Sequence, residues 1–133
     1  GRLCCPTIDQ VGAAALYRVQ GDYFAAVKEE YRRRRDTAYE MLMQIPNVVC
    51  RKPQGAFYLM AKLPVDSTDA FQIWMLEHFS ASGDTVMITP GEGFYTTLGK
   101  GVNEARLAYV LKHDDLVRAM RVLAEGIEAY NNR

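Results

Sequence analysis

The sequence predicts an α+β protein: a two-layer sandwich in which helices pack on a small, largely antiparallel sheet of about four strands. Three observations point there. Four segments carry apolar residues at helical steps of three and four, and four short runs between them have strand character. The resulting order, α-α-β-β-α-β-β-α, shows no internal repeat and no linker, and fits helices layered on a sheet. The chain has 133 residues, 49% of them hydrophobic. That is one domain of ordinary size, able to bury about two-thirds of its unfolded surface.

Pro6 and Thr7 open the first helix, with Thr7 expected to cap and Gln10, three residues on, to close a capping box. The helix covers Val11 to about Gln20, and Gly21 ends it. Asp22 is then expected to cap a long helix reaching about Ile45. Its stripe is Phe24, Val27, Tyr31, Ala38, Met41 and Ile45, interrupted by Arg34, whose stem is expected to cover apolar surface. Val48–Cys50 reads as a short strand and Gly55–Ala61 as a longer one. Asp66, Ser67 or Thr68 caps a third helix to about Ser80, with Phe71, Trp74, Met75 and Phe79 on its apolar face. Ser82, Gly83 and Asp84 turn the chain into a strand over Val86–Thr89. Pro90 to Gly101 holds four glycines and no periodicity, hence a loop. Ala105–Leu111 is the fourth strand. The last helix starts near Asp114 and Asp115, whose charges suit its positive end, and buries Leu116, Met120, Leu123 and Ile127.

Sixteen basic residues balance sixteen acidic ones. A neutral chain has no long-range field to gather nucleic acid or an anionic membrane, so neither is an expected partner. The run Arg32 to Arg35 resembles a polyanion patch, but Glu29, Glu30 and Asp36 lie three to four residues away and make it a solvated helix face. No apolar run approaches the roughly 20 residues of a membrane span, and no signal-peptide pattern is visible. Three cysteines, two of them adjacent (Cys4, Cys5, Cys50), are neither a disulfide framework nor a zinc motif. A reducing cytoplasm is the expected setting.

Among residues that carry chemistry, Arg106 stands out. In a strand, Ala105, Leu107 and Tyr109 face one way and Arg106, Ala108 and Val110 the other. A guanidinium in so apolar a segment needs a partner, either a nearby acid or a bound carboxylate matched to its planar fork. The loop Pro90–Gly101 lacks the lysine–serine/threonine pair and following helix of a phosphate-binding loop. His78 is read as a satisfied core histidine, and His113 as part of the start of the last helix. No histidine or cysteine pair has metal-ligand spacing, and no serine or cysteine stands in a nucleophile motif.

Three segments, in order and approximate spacing, carry a family likeness. They are Arg51-Lys-Pro-Gln-Gly-Ala-Phe-Tyr-Leu-Met60, Ile88-Thr-Pro-Gly-Glu-Gly-Phe94 and Glu104-Ala-Arg-Leu-Ala-Tyr109, preceded by Gln10-x-x-Ala-x-Ala-Leu16. Together they resemble the C-terminal, small domain of class I/II, aspartate aminotransferase-like enzymes, pyridoxal-phosphate-dependent proteins of fold type I. The likeness runs from about Thr7 to Tyr130. It implies that residues 1–133 are that small domain, with residues 1–21 a linker and first helix joining it to a large domain of the same polypeptide. Such enzymes move an amino group from an amino acid, here expected to be aspartate, to a 2-oxo acid by a ping-pong route. A lysine of the large domain holds pyridoxal 5'-phosphate as a Schiff base.

The same likeness gives Arg106 the role of gripping the substrate α-carboxylate, and places Phe57, Gly91, Gly93 and Phe94 beside the substrate. It also implies a homodimer in full length. None of the five lysines (Lys28, Lys52, Lys62, Lys100, Lys112) matches the cofactor motif. No catalytic residue, bound cofactor, metal or amino transfer is therefore expected of this chain alone. Two other readings stay open on sequence. One is the same domain from a carbon–sulfur lyase or decarboxylating synthase; the other is a stand-alone α+β interaction module.

Overall fold

A computed structural model describes residues 4–133. Helix α1 is Thr7–Ala14, continued by a 3-10 turn at Ala15–Arg18, and α2 is Gly21–Leu42. Strands β1 (Val49–Cys50) and β2 (Tyr58–Lys62) lead to α3 (Thr68–Glu77). Then come β3 (Thr89–Pro90), a 3-10 turn at Glu92–Phe94, β4 (Glu104–Ala108) and α4 (His113–Asn131). The element order is the expected one. The sheet is antiparallel throughout, in the order β1-β2-β4-β3. Arg106 sits on the interior strand β4, opposite Met60 on one side and Thr89 on the other.

The chain divides into two compact units, one ending at Glu30 and the other running Tyr31–Arg133. No described residue through Glu30 is buried. In the second unit, Ala38, Leu42 and Ile45 near the end of α2 join Leu59 and Ala61 of β2 and Leu107 of β4 in one apolar core. Phe71 and Met75 of α3 and Leu116, Met120, Leu123, Ile127 and Tyr130 of α4 complete it. The expected stripes on α3 and α4 are therefore the ones that pack. On α2 only the C-terminal half does so: Phe24 and Val27 are exposed, and fully buried Leu42 lies outside the expected stripe. Arg34 does more than shield apolar surface, because its Nη1 donates to the Val110 carbonyl at 2.8 Å.

Local chemistry explains where elements differ from expectation. The α1 capping box does not form: Thr7 is already helical, and Gln10 Nε2 donates to the Cys5 carbonyl instead. Asp22 lies inside α2 rather than capping it. At α3 the cap is Ser67, whose hydroxyl accepts from Ala70 N–H. The strand expected over Val86–Thr89 shrinks to Thr89–Pro90. Buried Gln72 of α3 takes the place of a neighbouring strand there, accepting from Ile88 N–H and donating to the Val86 carbonyl. The strand expected from Gly55 begins only at Tyr58. The segment before it turns at Ala56, which is left-handed (φ 62°), and Gly55 is not. The Tyr109 hydroxyl pins that turn by donating to the Ala56 carbonyl at 3.0 Å. Among the described residues, no helix is long and apolar enough to cross a membrane.

Candidate functional site

Alternation along β4 decides what the site can be. Ala105, Leu107 and Tyr109 are buried, so Glu104, Arg106 and Ala108 leave the opposite face. On that face the Arg106 guanidinium lies against two aromatic rings. Its Cζ is 5.4 Å from the centre of the Tyr58 ring and 5.1 Å from that of Phe94. Cation–π contacts of this kind are worth roughly 0.5–1 kcal/mol each at partly exposed sites. Phe57 packs edge-on against Tyr58, with ring centres 5.7 Å apart. Among the described residues no carboxylate lies within ion-pair distance of Arg106. The fork thus lies between two rings rather than in an internal ion pair.

Phe94 reaches this place because the loop before β4 is tied down. Gly91 N–H donates to the Glu104 carbonyl at 2.7 Å, and Phe94 N–H donates to the Gly91 carbonyl at 3.0 Å. Gly91 must be glycine for this approach, since a Cβ there would lie 2.7 Å from the Glu104 carbonyl oxygen. Gly93 carries no such demand, having nothing within 4 Å of an added Cβ. The Tyr95 hydroxyl donates to Glu104 Oε2 at 2.6 Å. That hydrogen bond to a carboxylate, with some desolvation, pushes the Tyr95 phenol above its ordinary value.

All five residues singled out in the sequence (Arg106, Phe57, Gly91, Gly93 and Phe94) lie in this one region. Of the other four, Phe94 lies against the guanidinium, Phe57 packs on Tyr58, and Gly91 anchors the loop that carries Phe94. Tyr58, the second ring on the guanidinium, is not among the residues singled out in the sequence. Its signal was available: buried Leu59 and Ala61 put Tyr58 and Met60 on the other face of β2, diagonal and opposite to Arg106. Neither histidine takes part. His78 is exposed beside Glu77 rather than in the core, and His113 Nε2 lies 3.1 Å from the Thr37 hydroxyl. Among the described residues no cluster of three or more His, Cys, Asp or Glu side chains could hold a metal ion.

The five lysines are exposed, and Lys52 is held 2.9 Å from Asp36. The Asp36 carboxyl is raised by desolvation but drawn down further by hydrogen bonds and charge from Lys52 and Arg35, and ends below its usual range.

Comparison with known proteins gives the setting for that face. No family model matches the chain. The chain is 33% identical over 132 residues to an aspartate aminotransferase of Bacillus subtilis, covering 94% of this chain and 31% of that protein. It is also 33% identical over 103 residues to an LL-diaminopimelate aminotransferase of Oleidesulfovibrio alaskensis, covering 71% of this chain and 25% of that one. Among solved structures, an alanine aminotransferase from Pyrococcus furiosus superposes with a TM-score of 0.76 at 28% identity, over 96% of this chain and 31% of that one. The chain therefore spans about a third of the length of the curated relatives it matches. Matches of this extent in both sequence and fold place the chain in the aspartate aminotransferase-like family of pyridoxal-phosphate enzymes, as its C-terminal, small domain.

Proposed function

We propose that this domain binds the α-carboxylate of an amino acid or 2-oxo acid through Arg106, and closes over it in a pyridoxal-phosphate-dependent aminotransferase. The observation that carries this reading is the Arg106 guanidinium, set against the rings of Tyr58 and Phe94 with no acidic partner among the described residues. A half-buried fork of this kind is prepared for a carboxylate, which it takes with two parallel N–H···O bonds. Tyr58 and Phe94 exclude water from one part of the pair and so strengthen it. Gly91 keeps the loop close enough for Phe94 to do so. Pyridoxal phosphate, when bound, supplies the electron sink for amino transfer. Its lysine and phosphate cradle belong to a large domain of the same polypeptide, to which the first unit of this chain connects. The domain's own part is to grip, orient and shield the substrate.

Aspartate is the proposed amino donor, supported by the names of the relatives. A cytoplasmic homodimer is the proposed form of the enzyme; the three free cysteines fit a reducing compartment. The test is made on the full-length polypeptide. Arg106→Ala should lower kcat/KM for aspartate by on the order of a hundredfold, since it removes the charged partner of a carboxylate. Arg106→Lys should recover only part of this, a point charge replacing a fork. The 133-residue chain assayed alongside with added pyridoxal phosphate should show no turnover. An unchanged kcat/KM in Arg106→Ala removes the residue from the site.

A further inference from the structure

Glu104 and Arg106 stand two residues apart on β4 and leave the same face of the sheet. Their backbones are separated by about 7 Å along the strand, a gap that these two long side chains can bridge. A pair between them would fill the fork needed by an incoming carboxylate. The structure shows a different arrangement. Glu104 Oε2 accepts the Tyr95 hydroxyl at 2.6 Å. Among the described residues it makes no ion pair with Arg106, nor with Lys62, its partner across β2.

We propose that Tyr95 is a positioning residue that holds the Glu104 carboxylate off Arg106, and so keeps the carboxylate clamp open. This inference rests on the reading of Arg106 as that clamp. Both ends of the restraint are fixed. Tyr95 N–H donates to the Glu92 carbonyl at 3.0 Å, and its ring packs on Gly101, where an added Cβ would lie 2.5 Å from the ring. The Glu104 backbone accepts from the buried Thr68 hydroxyl at 2.8 Å and from Gly91 N–H. The carboxylate therefore stays where Tyr95 puts it. Without the hydroxyl, Lys62 across the sheet and Arg106 along the strand compete for Glu104. Lys62 is exposed and well hydrated, and such surface pairs gain little. The half-buried, more weakly hydrated Arg106 guanidinium lacks an anion and is the favoured partner.

The experiment measures KM and kcat for aspartate in the full-length enzyme and in Tyr95→Phe, Glu104→Gln, the double variant and Arg106→Lys. Tyr95→Phe should raise KM about tenfold with little change in kcat, the effect of an internal carboxylate competing for one charged hydrogen-bonded site. The double variant should return KM to within about twofold of the parent, because the neutral amide no longer competes. An unchanged KM in Tyr95→Phe overturns the proposal. So does an equal rise in Tyr95→Phe and the double variant, which would mean that Tyr95 acts only through loop packing. A parent-like KM in Arg106→Lys would remove the clamp reading itself and the proposal with it, a failure distinguishable from the first two.

Discussion

A methyl group at Gly91 would sit 2.7 Å from the Glu104 carbonyl oxygen and 2.8 Å from its Cβ, both on an interior strand that cannot give way. Gly91→Ala should therefore destabilise the chain by about 2 kcal/mol, as overpacking against backbone does. Gly93→Ala, in open space, should stay within about 0.5 kcal/mol of the parent. Denaturant midpoints of the two variants measure the contrast, and equal shifts would show that the Gly91–Glu104 contact is not held in solution. The two glycines look alike in the sequence; only the approach of another strand separates them. Arg106 was legible because strand parity needs no more than its neighbours. Tyr58 follows the same parity rule, but its place beside Arg106 needs the pairing register of β2 and β4, which one strand alone does not give. The positive φ at Ala56 was not legible at all, since a hydrogen bond from Tyr109, distant in sequence, imposes it.

At the scale of elements, the end of α4 is fastened to the connection between β2 and α3. The Tyr130 hydroxyl donates to Asp66 Oδ1 at 2.7 Å, and Asn131 Nδ2 donates to the Pro64 carbonyl at 2.9 Å. The Tyr130 bond, helped by Ser67 N–H, holds the Asp66 carboxyl below its ordinary value. A carboxyl depressed in the folded state stabilises the fold above its unfolded pKa, about 3.9. That contribution fades as pH falls through the folded value. Tyr130→Phe keeps the ring against Phe71 and Trp74 but removes the donor. It should be less stable than the parent at pH 7, and the gap should narrow as pH falls below about 4. Urea midpoints across pH 2–7 read this out, and a pH-independent gap would show that the Asp66 bond contributes nothing. The amphipathic patterns of α3 and α4 were visible in the sequence because packing follows their own periodicity. β3 was misread because its would-be strand is satisfied by one side chain, Gln72, which no local pattern announces.

On the scale of the whole molecule, the family was readable from three short segments, but the division at Glu30 was not, because α2 runs through it as one continuous helix. The consequence is energetic. Every buried core residue lies at or beyond Ala38, while Ile8, Val11, Leu16, Tyr17, Tyr23 and Phe24 in the first unit are exposed. Among the described residues the first unit contributes no side chain to that core, whose buried apolar surface is the main source of stability. A chain beginning at Tyr31 should keep a single cooperative thermal transition, with Tm within about 5 °C of the 133-residue chain, equivalent to roughly 1 kcal/mol for a domain of this size. It should also self-associate less in sedimentation experiments, having lost the exposed apolar side chains of the first unit, Val27 among them. Loss of the cooperative transition would mean that the first unit completes the core, and that the energy of this domain is not confined to the sheet and the helices from Tyr31 onward.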